Sequence, residues 1–407
     1  MRAPLRVPSM TQTADIGHLS LRESYDSVIV GASPTSLFEA MTLEFDGKKV
    51  LVVEASDRLG GAWTTRDLPG VGAVECGTHY LFDLPKVYSF IGQIDGVELL
   101  PAEPIPRYVM PRRVMGRRTE DFRSRWAGKV SPRVYSGEIT MRSIRNLVSP
   151  YYRYARATLG LEGRPKKSLQ YICGGTPALV SALSNLVSRR QFKIELNREI
   201  DEVRVNSSER LVYCKIGDRN IVAKELFVPG SAHLPNVFID DKKIDLPGEV
   251  IPSVQLHMVV RGAPKQKISF IQFTGSAFAN LASDLTSTCQ PPLAGGGRRI
   301  LSASVRDDVP HNTATAQAIL DELKMAGLLE NGASLETAYW SRFDLPQRSR
   351  DELHQISEKS KGLFRTLYAH SFSVAISENA SRWLPALVSP SAGAETGNSS
   401  DKKITRL

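Results

Sequence analysis

Residues 27–36 read Ser-Val-Ile-Val-Gly-Ala-Ser-Pro-Thr-Ser, an apolar run that ends at a glycine and continues into small residues. An apolar run bounded in this way is typical of a strand buried inside a parallel sheet. Leu37, Ala40 and Met41 then follow at helical spacing, and a second apolar run covers 50–53. A strand, a tight turn, a helix and a second strand within about 30 residues predict a βαβ unit. The expected fold class is therefore α/β.

The turn between the first strand and the helix is a candidate phosphate-binding element. The dinucleotide fingerprint G-x-G-x-x-G uses its glycines for the tight turn, for the approach of a pyrophosphate and for helix packing. Only the first of them is a glycine here, Gly31, and the other two positions hold Ser33 and Ser36. Serine is still small, and Pro34 falls at the helix start, where its missing N–H costs little. The free amides of the helix N-terminus can therefore still meet an anion.

The end of the second strand adds an acidic residue and a glycine pair. Glu54 follows Gly31 at about the 20-residue distance at which an acidic side chain accepts hydrogen bonds from an adenosine ribose. A carboxylate that merely caps the strand end is the alternative interpretation. Arg58 can meet a phosphate, and Gly60-Gly61 can place backbone against a cofactor because glycine has no side chain to obstruct it.

The stretch 26–64 resembles the FAD-binding N-terminus of the amine oxidase, phytoene desaturase and UDP-galactopyranose mutase clan. In that clan a βαβ unit is followed by an acidic residue, an arginine and a Gly-Gly pair. The resemblance implies a Rossmann-like domain with FAD, rather than NAD, as the cofactor. The cofactor-binding residues that it implies in this stretch are Gly31, Ser33, Pro34, Ser36, Glu54, Arg58, Gly60, Gly61, Ala62 and Trp63.

Three later segments resemble the same clan in the same order along the chain. Residues 75–82 resemble the Gly-x-His strand that runs beside the flavin in the mutase branch, which implies that Gly77 binds the cofactor. Residues 173–179 resemble a glycine pair that opens a helix. Residues 196–203 resemble the strand that follows, in which the residue at Ile200 touches the adenine through its backbone.

His79, which ends the Gly-x-His element, is the candidate catalytic residue. An imidazole can hydrogen-bond a flavin or a substrate, and it titrates near neutral pH. A buried structural histidine is the alternative interpretation. His257, in a predicted strand of the second domain, is a weaker candidate.

The predicted architecture is two interleaved domains. A discontinuous FAD-binding domain is expected over 24–100, 165–235 and 345–387, and an α+β substrate domain over 101–164 and 236–344. Residues 1–23 and 388–407 lack periodic apolar residues or are rich in small polar ones, so we expect disorder at both ends.

Composition and cysteine spacing exclude several classes of protein. With 42% hydrophobic and 23% charged residues, the chain is typical of soluble globular proteins rather than of fibrous or disordered ones. No apolar run approaches the roughly 18 residues that a spanning helix needs, so no integral membrane segment is expected. The four cysteines are widely spaced and form no zinc motif, so we predict no metal site and a reducing, cytoplasmic location.

A basic segment carries much of the formal net charge of +9. Between Arg107 and Arg133, nine Lys and Arg residues stand against two Asp and Glu residues. Such a segment can attract a phosphate, a nucleotide-linked substrate, a nucleic acid or an anionic membrane surface, or it can be a solvated basic face. No nucleic-acid-binding module is recognisable and the segment has few aromatic residues, so we expect no nucleic-acid partner.

Three functions are consistent with the sequence. The first is an FAD-dependent oxidoreductase acting on a small molecule, with anionic and nucleotide-linked substrates among the candidates. The second is a mutase-like, flavin-dependent isomerase of a nucleotide sugar, suggested by residues 77–79 and by the basic segment. The third is a binding protein that kept the FAD fold and lost catalysis. Ser33 and Ser36 suggest this third function, as does a C-terminus in which 368–379 lacks the Gly-Asp pair of relatives.

Overall fold

The computed structural model describes most of the chain between residues 23 and 389. The described ranges are 23–102, 169–262, 270–272, 278–286, 297–325, 329–347, 350–367 and 372–389, without the single positions 78, 80, 83, 231, 235, 247 and 248. The basic segment 107–133 lies outside the described residues, as do almost all of the predicted first part of the substrate domain and most of both chain ends.

The described residues form nineteen strands and six helices. The strands are β1 (Glu23–Val30), β2 (Val50–Val53), β3 (Thr65–Leu68), β4 (Gly72–Glu75), β5 (Leu81–Phe82), β6 (Leu99–Ala102), β7 (Leu169–Ile172), β8 (Lys193–Glu195), β9 (Glu202–Asn206), β10 (Leu211–Ile216), β11 (Arg219–Pro229), β12 (Val237–Ile239), β13 (Lys242–Ile244), β14 (Glu249–Arg261), β15 (Phe270–Gln272), β16 (Ala279–Asp284), β17 (Arg298–Val305), β18 (Ser334–Gln347) and β19 (Phe364–Leu367). The helices are α1 (Pro34–Phe45), α2 (Val87–Ile91), α3 (Gly175–Val187), α4 (Thr313–Met325), α5 (Arg350–Lys359) and α6 (Phe372–Val388).

The predicted βαβ unit is confirmed. Strands β1 and β2 pair in parallel, with Val28 opposite Leu51, and α1 connects them. The end of β1 and all of β2 are apolar because both faces of the sheet are covered there, and Val28 and Leu51 are completely buried. The order in this part of the sheet is β11, β1, β2, β8. β8 pairs in parallel with β2, and β11 pairs in parallel with β1.

Strand β11 joins two kinds of sheet within one nine-stranded sheet. Its first half pairs antiparallel with β10, with Val212 opposite Ala223, and its second half pairs parallel with β19, with Leu226 opposite Phe364. One long strand therefore belongs both to the parallel Rossmann-like part and to an antiparallel meander of β9, β10 and β11.

The structure differs from the predicted domain boundary at residue 235. Strands β12 and β13, which the prediction placed in the substrate domain, complete the nine-stranded sheet beyond β9. Val237 and Ile239 are buried in the same core as Val203 and Val205, so apolar burial explains why this segment stays with the larger sheet.

The second sheet is antiparallel and has five strands, in the order β15, β16, β17, β14, β18. The apolar side of α4 covers one face, where Ile319 and Leu320 share a core with Leu256 and Met258. Strand β18 continues to Gln347, beyond the predicted boundary at residue 344.

The hairpin of β3 and β4 connects the two sheets. Leu68 and Val74 form a small core with Val259 and Ile300 on the other face of the five-stranded sheet. The Arg66 guanidinium donates to the carbonyl oxygen of Trp340 over 2.9 Å. The elements of the Rossmann-like part and the second sheet therefore pack directly on one another.

The chain ends depart slightly from the prediction. Strand β1 begins at Glu23, which pairs with Ile221, so the disorder expected over 1–23 does not include this residue. Helix α6 runs to Val388, whereas the predicted tail began there. None of the described helices is long and apolar enough to cross a membrane.

A buried carboxylate fastens α6 to α1. Glu39 is 1% exposed, and it accepts hydrogen bonds from the Trp383 indole over 3.2 Å and from Arg365 over 3.1 Å. Arg382 donates to the same carboxylate. A buried charge must be paired, and these three donors provide the partners.

We expect Glu39→Gln to lower the free energy of unfolding by about 2 kcal/mol, because an amide turns a donor toward the two arginines. Urea unfolding at pH 7 measures this difference. Glu358→Gln is the control, since that side chain is 68% exposed, and its effect should stay within about 0.5 kcal/mol. Equal effects of the two substitutions would contradict the assignment.

Candidate functional site

The first turn lies at the carboxyl end of β1. Gly31 has φ +77°, in the left-handed region that favours glycine, and its N–H donates to the carbonyl oxygen of Val53 over 2.7 Å. Ser33 caps helix α1 with its hydroxyl oxygen, which accepts from the backbone N–H of Ser36 over 3.3 Å. Pro34 is buried at the first helical position.

The two serines that replace glycines interact with each other. The Ser33 hydroxyl lies 3.0 Å from the Ser36 hydroxyl and 2.9 Å from that of Thr35. Ser36 is completely buried, so its side chain occupies the position where a glycine would pack helix on strand. The hydrogen bond to Ser33 satisfies this buried hydroxyl, which explains why serine is tolerated there.

Glu54 lies beside this turn and is 7% exposed. One carboxylate oxygen accepts from the backbone N–H of Ala32 over 2.6 Å. The other accepts from the Ser56 N–H and the Ser56 hydroxyl, each over 2.8 Å. An ionised carboxylate offers about four acceptor positions, and three are occupied by the described residues. By this count the described residues leave one acceptor position of Glu54 unused.

The Gly-Gly pair lies against the first turn. The N–H of Gly60 donates to the carbonyl oxygen of Ala32 over 2.9 Å. A methyl group on Gly61 would lie 3.3 Å from the Ser33 Cβ, which is tighter than most real contacts. Arg58 and Ala62 are exposed at the surface of this loop, whereas Trp63 is half-buried.

Residues 197–200 complete the same corner. The N–H of Arg198 donates to the Glu54 carbonyl oxygen over 2.9 Å, and the N–H of Glu54 donates to Glu195 over 2.9 Å. Ile200 is 3% exposed and belongs to the same apolar core as Val53. The structure thus brings together the first turn, Glu54, the Gly-Gly loop and Ile200.

These residues fit the adenosine and diphosphate half of a dinucleotide. A positive-φ glycine ends the first strand, small side chains line the turn, and a buried carboxylate keeps one acceptor position open. This is the donor and acceptor pattern that a ribose hydroxyl and a diphosphate require.

His79 lies in a separate polar network. Its Nδ1 is 3.1 Å from the Thr176 hydroxyl and 3.7 Å from a carboxylate oxygen of Glu75. Glu75 is 3% exposed, and it accepts from the Thr176 hydroxyl over 2.9 Å and from the Tyr171 hydroxyl. Glu75, Thr176 and Tyr171 are not among the residues predicted from sequence to form the site. The glycine pair 174–175 is the sequence feature that points to this network. A side chain on Gly175 would lie 3.0 Å from the Tyr171 hydroxyl, so the position needs glycine.

An aromatic cluster lies on one side of His79. The Trp63 ring lies 4.2 Å from the imidazole, and the Phe372 ring lies 4.6 Å from that of Trp63. Phe372 begins helix α6, and the next residue, Ser373, accepts a hydrogen bond from the N–H of Phe82 over 3.0 Å. The start of the last helix therefore reaches the site although the Gly-Asp pair of relatives is missing from the sequence. Gly77 lies under the imidazole, since a methyl group on it would be 3.5 Å from His79 Cε1.

His257 differs from His79 in its surroundings. It is 1% exposed in β14, and neither ring nitrogen has a hydrogen-bond partner among the described residues. Burial lowers the pKa of His257 to about 4, opposed by the charge of Glu75 and aided by that of Arg66. Its imidazole is therefore neutral at physiological pH, which fits a structural histidine.

The fold and the corner around Glu54 are those of a Rossmann-like domain of the dinucleotide-binding type. Residues 29–94 match the family model of the NAD(P)-binding Rossmann-like domain. No curated protein sequence matches the chain.

Solved structures share the fold at low sequence identity. An oxidoreductase from Methanosarcina mazei is 14% identical with a TM-score of 0.53, and the match covers 85% of this chain and 94% of that one. Putrescine oxidase bound to putrescine is 15% identical with a TM-score of 0.55, over 89% and 98%. Reduced UDP-galactopyranose mutase is 14% identical with a TM-score of 0.57, over 84% and 87%. The predicted resemblance to the amine oxidase and mutase clan is thereby confirmed at the level of the fold.

We expect Gly60→Ala to lower the free energy of unfolding by about 3 kcal/mol. The new methyl group would lie 2.6 Å from the Trp63 carbonyl oxygen, at a φ of +113°. Gly70→Ala is the matched control, because Gly70 also has positive φ but has nothing within 4 Å, so only about 1 kcal/mol should be lost. Urea unfolding of both variants checks this, and a loss at Gly60 no larger than that at Gly70 would contradict the close approach.

We expect His257 to weaken the fold in acid. Its folded pKa of about 4 lies below the ordinary histidine pKa of 6.5, so the unfolded chain binds the proton more readily between these values. The contribution of the neutral His257 to the free energy of unfolding is complete above pH 6.5. It is lost as the pH falls through about 4, and the total loss is about 3 kcal/mol. His257→Leu should remove this loss, which urea unfolding at pH 7.5 and 4.5 measures.

The control for this pH effect is His354→Gln, since His354 is 69% exposed. That variant should lose stability between the two pH values as the unaltered protein does. If His257→Leu behaves in the same way as His354→Gln, His257 does not titrate as burial requires.

Proposed function

We propose that the protein is an FAD-dependent oxidoreductase that acts on a small molecule. The observation that carries this proposal is the buried Glu54 carboxylate, held at the first turn by the Ala32 N–H with one acceptor position left open. The amine oxidase and mutase clan, whose fold this chain shares, uses FAD. The similarity to the Methanosarcina oxidoreductase and to putrescine oxidase supports the same class of activity.

The residues that would hold FAD are those of the Glu54 corner. Glu54 would accept hydrogen bonds from the adenosine ribose, and the backbone of Ile200 would contact the adenine. The diphosphate would lie along the first turn between Gly31 and Ser36, close to the backbone of Gly61. Arg58, exposed on the same loop, would contribute positive charge near the phosphates.

The flavin would supply the electron-accepting group, and the chain would supply binding, orientation and a proton acceptor. Trp63 and Phe372 form an apolar wall beside His79. Such a wall excludes water from one side of the imidazole and orients a flat ligand by ring contact. The His79 imidazole can hydrogen-bond a ligand and exchange a proton with it.

A flavin-dependent isomerase is the second candidate function. Residues 77–79 resemble the Gly-x-His element of the mutase branch, and the mutase structure matches with a TM-score of 0.57. A nucleotide-linked substrate would suit the basic segment 107–133, which lies outside the described residues.

The cofactor content of the natively purified protein tests the first proposal. We expect flavin absorbance bands and, after denaturation, the mass of FAD in the supernatant. Stripped protein should then bind added FAD and not NAD⁺ in calorimetric titrations. If the protein bound NAD⁺ and not FAD, the cofactor would be a nicotinamide and the proposal of a flavoenzyme would be wrong. Binding of neither would favour the non-catalytic binding protein.

Anaerobic mixing separates the two enzymatic functions. Bleaching of the flavin by an amine such as putrescine would support the oxidoreductase. Conversion of a nucleotide sugar only after chemical reduction, with no net consumption of electrons, would support the isomerase. If a protein that retains FAD gave neither result with a broad panel of amines and nucleotide sugars, both enzymatic functions would be contradicted.

We expect Glu54→Gln to weaken FAD binding by about tenfold to a hundredfold, because the amide loses an acceptor for the ribose and for the Ala32 N–H. Asp57→Asn is the control, since Asp57 is exposed three residues further along the same loop. Calorimetric titration of both stripped variants measures the effect. Equal affinities would show that Glu54 does not contact the cofactor.

A further inference from the structure

We infer that Glu75 and Thr176 are positioning residues that hold His79 in the tautomer with its proton on Nδ1 and with Nε2 free to accept a proton. The inference rests on two consecutive contacts. The Thr176 hydroxyl lies 2.9 Å from the Glu75 carboxylate and 3.1 Å from His79 Nδ1. The role of His79 at a reacting centre rests on the proposed function, whereas the tautomer does not.

The direction of each hydrogen bond follows from the number of protons available. An ionised carboxylate only accepts, so the single hydroxyl proton of Thr176 points to Glu75. The same hydroxyl can then only accept from His79, which requires the proton of the neutral imidazole to be on Nδ1. The lone pair of the neutral ring is consequently on Nε2.

Glu75 is itself fixed, so the direction of this chain does not reverse easily. The Tyr171 hydroxyl donates to its other oxygen, and the Thr176 N–H lies 3.4 Å from the oxygen that accepts from the Thr176 hydroxyl. The N-terminus of α3 begins at this point, and its dipole favours a negative charge there. Glu75 and Thr176 are 3% and 1% exposed, so water does not compete for these contacts.

Gly175 makes the close approach possible. It has φ +63°, and a methyl group on it would lie 3.0 Å from the Tyr171 hydroxyl and 3.4 Å from Glu75 Oε2. The glycine pair that opens α3 therefore has a local purpose in this chain, since it lets the carboxylate reach the first turn of the helix.

The arrangement gives His79 a defined chemical role. Nε2 can take a proton from an N–H or O–H group of a substrate that binds beside Trp63. The resulting imidazolium keeps its Nδ1–H on Thr176, and the Glu75 carboxylate, 3.7 Å from Nδ1, stabilises the positive charge. No bond other than the transferred N–H or O–H bond changes in this step.

The test is the tautomer of His79, measured by long-range ¹H–¹⁵N correlation spectra of protein labelled with ¹⁵N-histidine. The chain has seven histidines, and His79→Gln assigns the signals of interest by their disappearance. At a pH where His79 is neutral, we expect a protonated Nδ1 and an unprotonated Nε2. A protonated Nε2 in the unaltered protein would overturn the inference without any variant.

Variants separate positioning from a merely structural contact. Thr176→Val removes the acceptor, so the Nδ1–H form should lose its preference, whereas Thr176→Ser should retain it. Glu75→Gln can turn an amide donor toward Thr176, which frees the hydroxyl proton for His79 Nδ1 and should shift the proton to Nε2. An unchanged tautomer in both Thr176→Val and Glu75→Gln would overturn the inference.

FAD titration of the same samples distinguishes this inference from the proposed function. An Nδ1–H tautomer in a protein that binds no FAD would leave the positioning role intact and contradict the proposed function. Tight FAD binding with an Nε2–H tautomer would do the reverse.

Discussion

The junction between the ends of β1 and β2 is the constraint on which the rest of the site depends. Two hydrogen bonds define it, from the Gly31 N–H to the Val53 carbonyl oxygen and from the Ala32 N–H to the Glu54 carboxylate. Together they fix where helix α1 begins and where the chain leaves the sheet after β2. The Gly60-Gly61 loop then packs on a turn whose position is already determined, because the Gly60 N–H bonds to the carbonyl oxygen of Ala32.

The buried carboxylates Glu39, Glu54 and Glu75 are satisfied in two different ways, and the difference matches the roles proposed for them. Glu39 has the cationic partners Arg365 and Arg382, which suits a permanent link between helices. In contrast, the hydrogen-bond donors to Glu54 and Glu75 are mainly neutral N–H and O–H groups. A carboxylate without a cation keeps its negative charge available to neighbours, which suits a ribose acceptor in one case and a support for an imidazolium in the other.

Local patterns in the sequence were sufficient to predict the first half of the Rossmann-like unit. The apolar runs before Gly31 and Glu54 encode two buried strands, and the glycines near them are required by backbone geometry. The network around His79 was not predictable, since Glu75 and Thr176 are about a hundred residues apart and meet only through tertiary packing. The double pairing of β11 was equally hidden, because nothing in its sequence marks the point where its neighbour changes from β10 to β19. The same is true of β12 and β13, whose apolar residues do not reveal which sheet will bury them.

The serines of the first turn show how a fingerprint can change without loss of its geometry. The second glycine of the fingerprint keeps space free beside the backbone. Here Gly61 makes room for the Ser33 side chain, because it has no side chain of its own. A methyl group on Gly61 would lie 3.3 Å from the Ser33 Cβ. The third glycine allows close packing of helix on strand, and Ser36 meets that need by burying a small hydroxyl bonded to Ser33. The requirement for small volume is therefore shared between the turn and the loop that covers it. The turn itself keeps one glycine of the three, whereas in the packed structure Gly61 and the Ser33–Ser36 hydrogen bond accommodate the two serines.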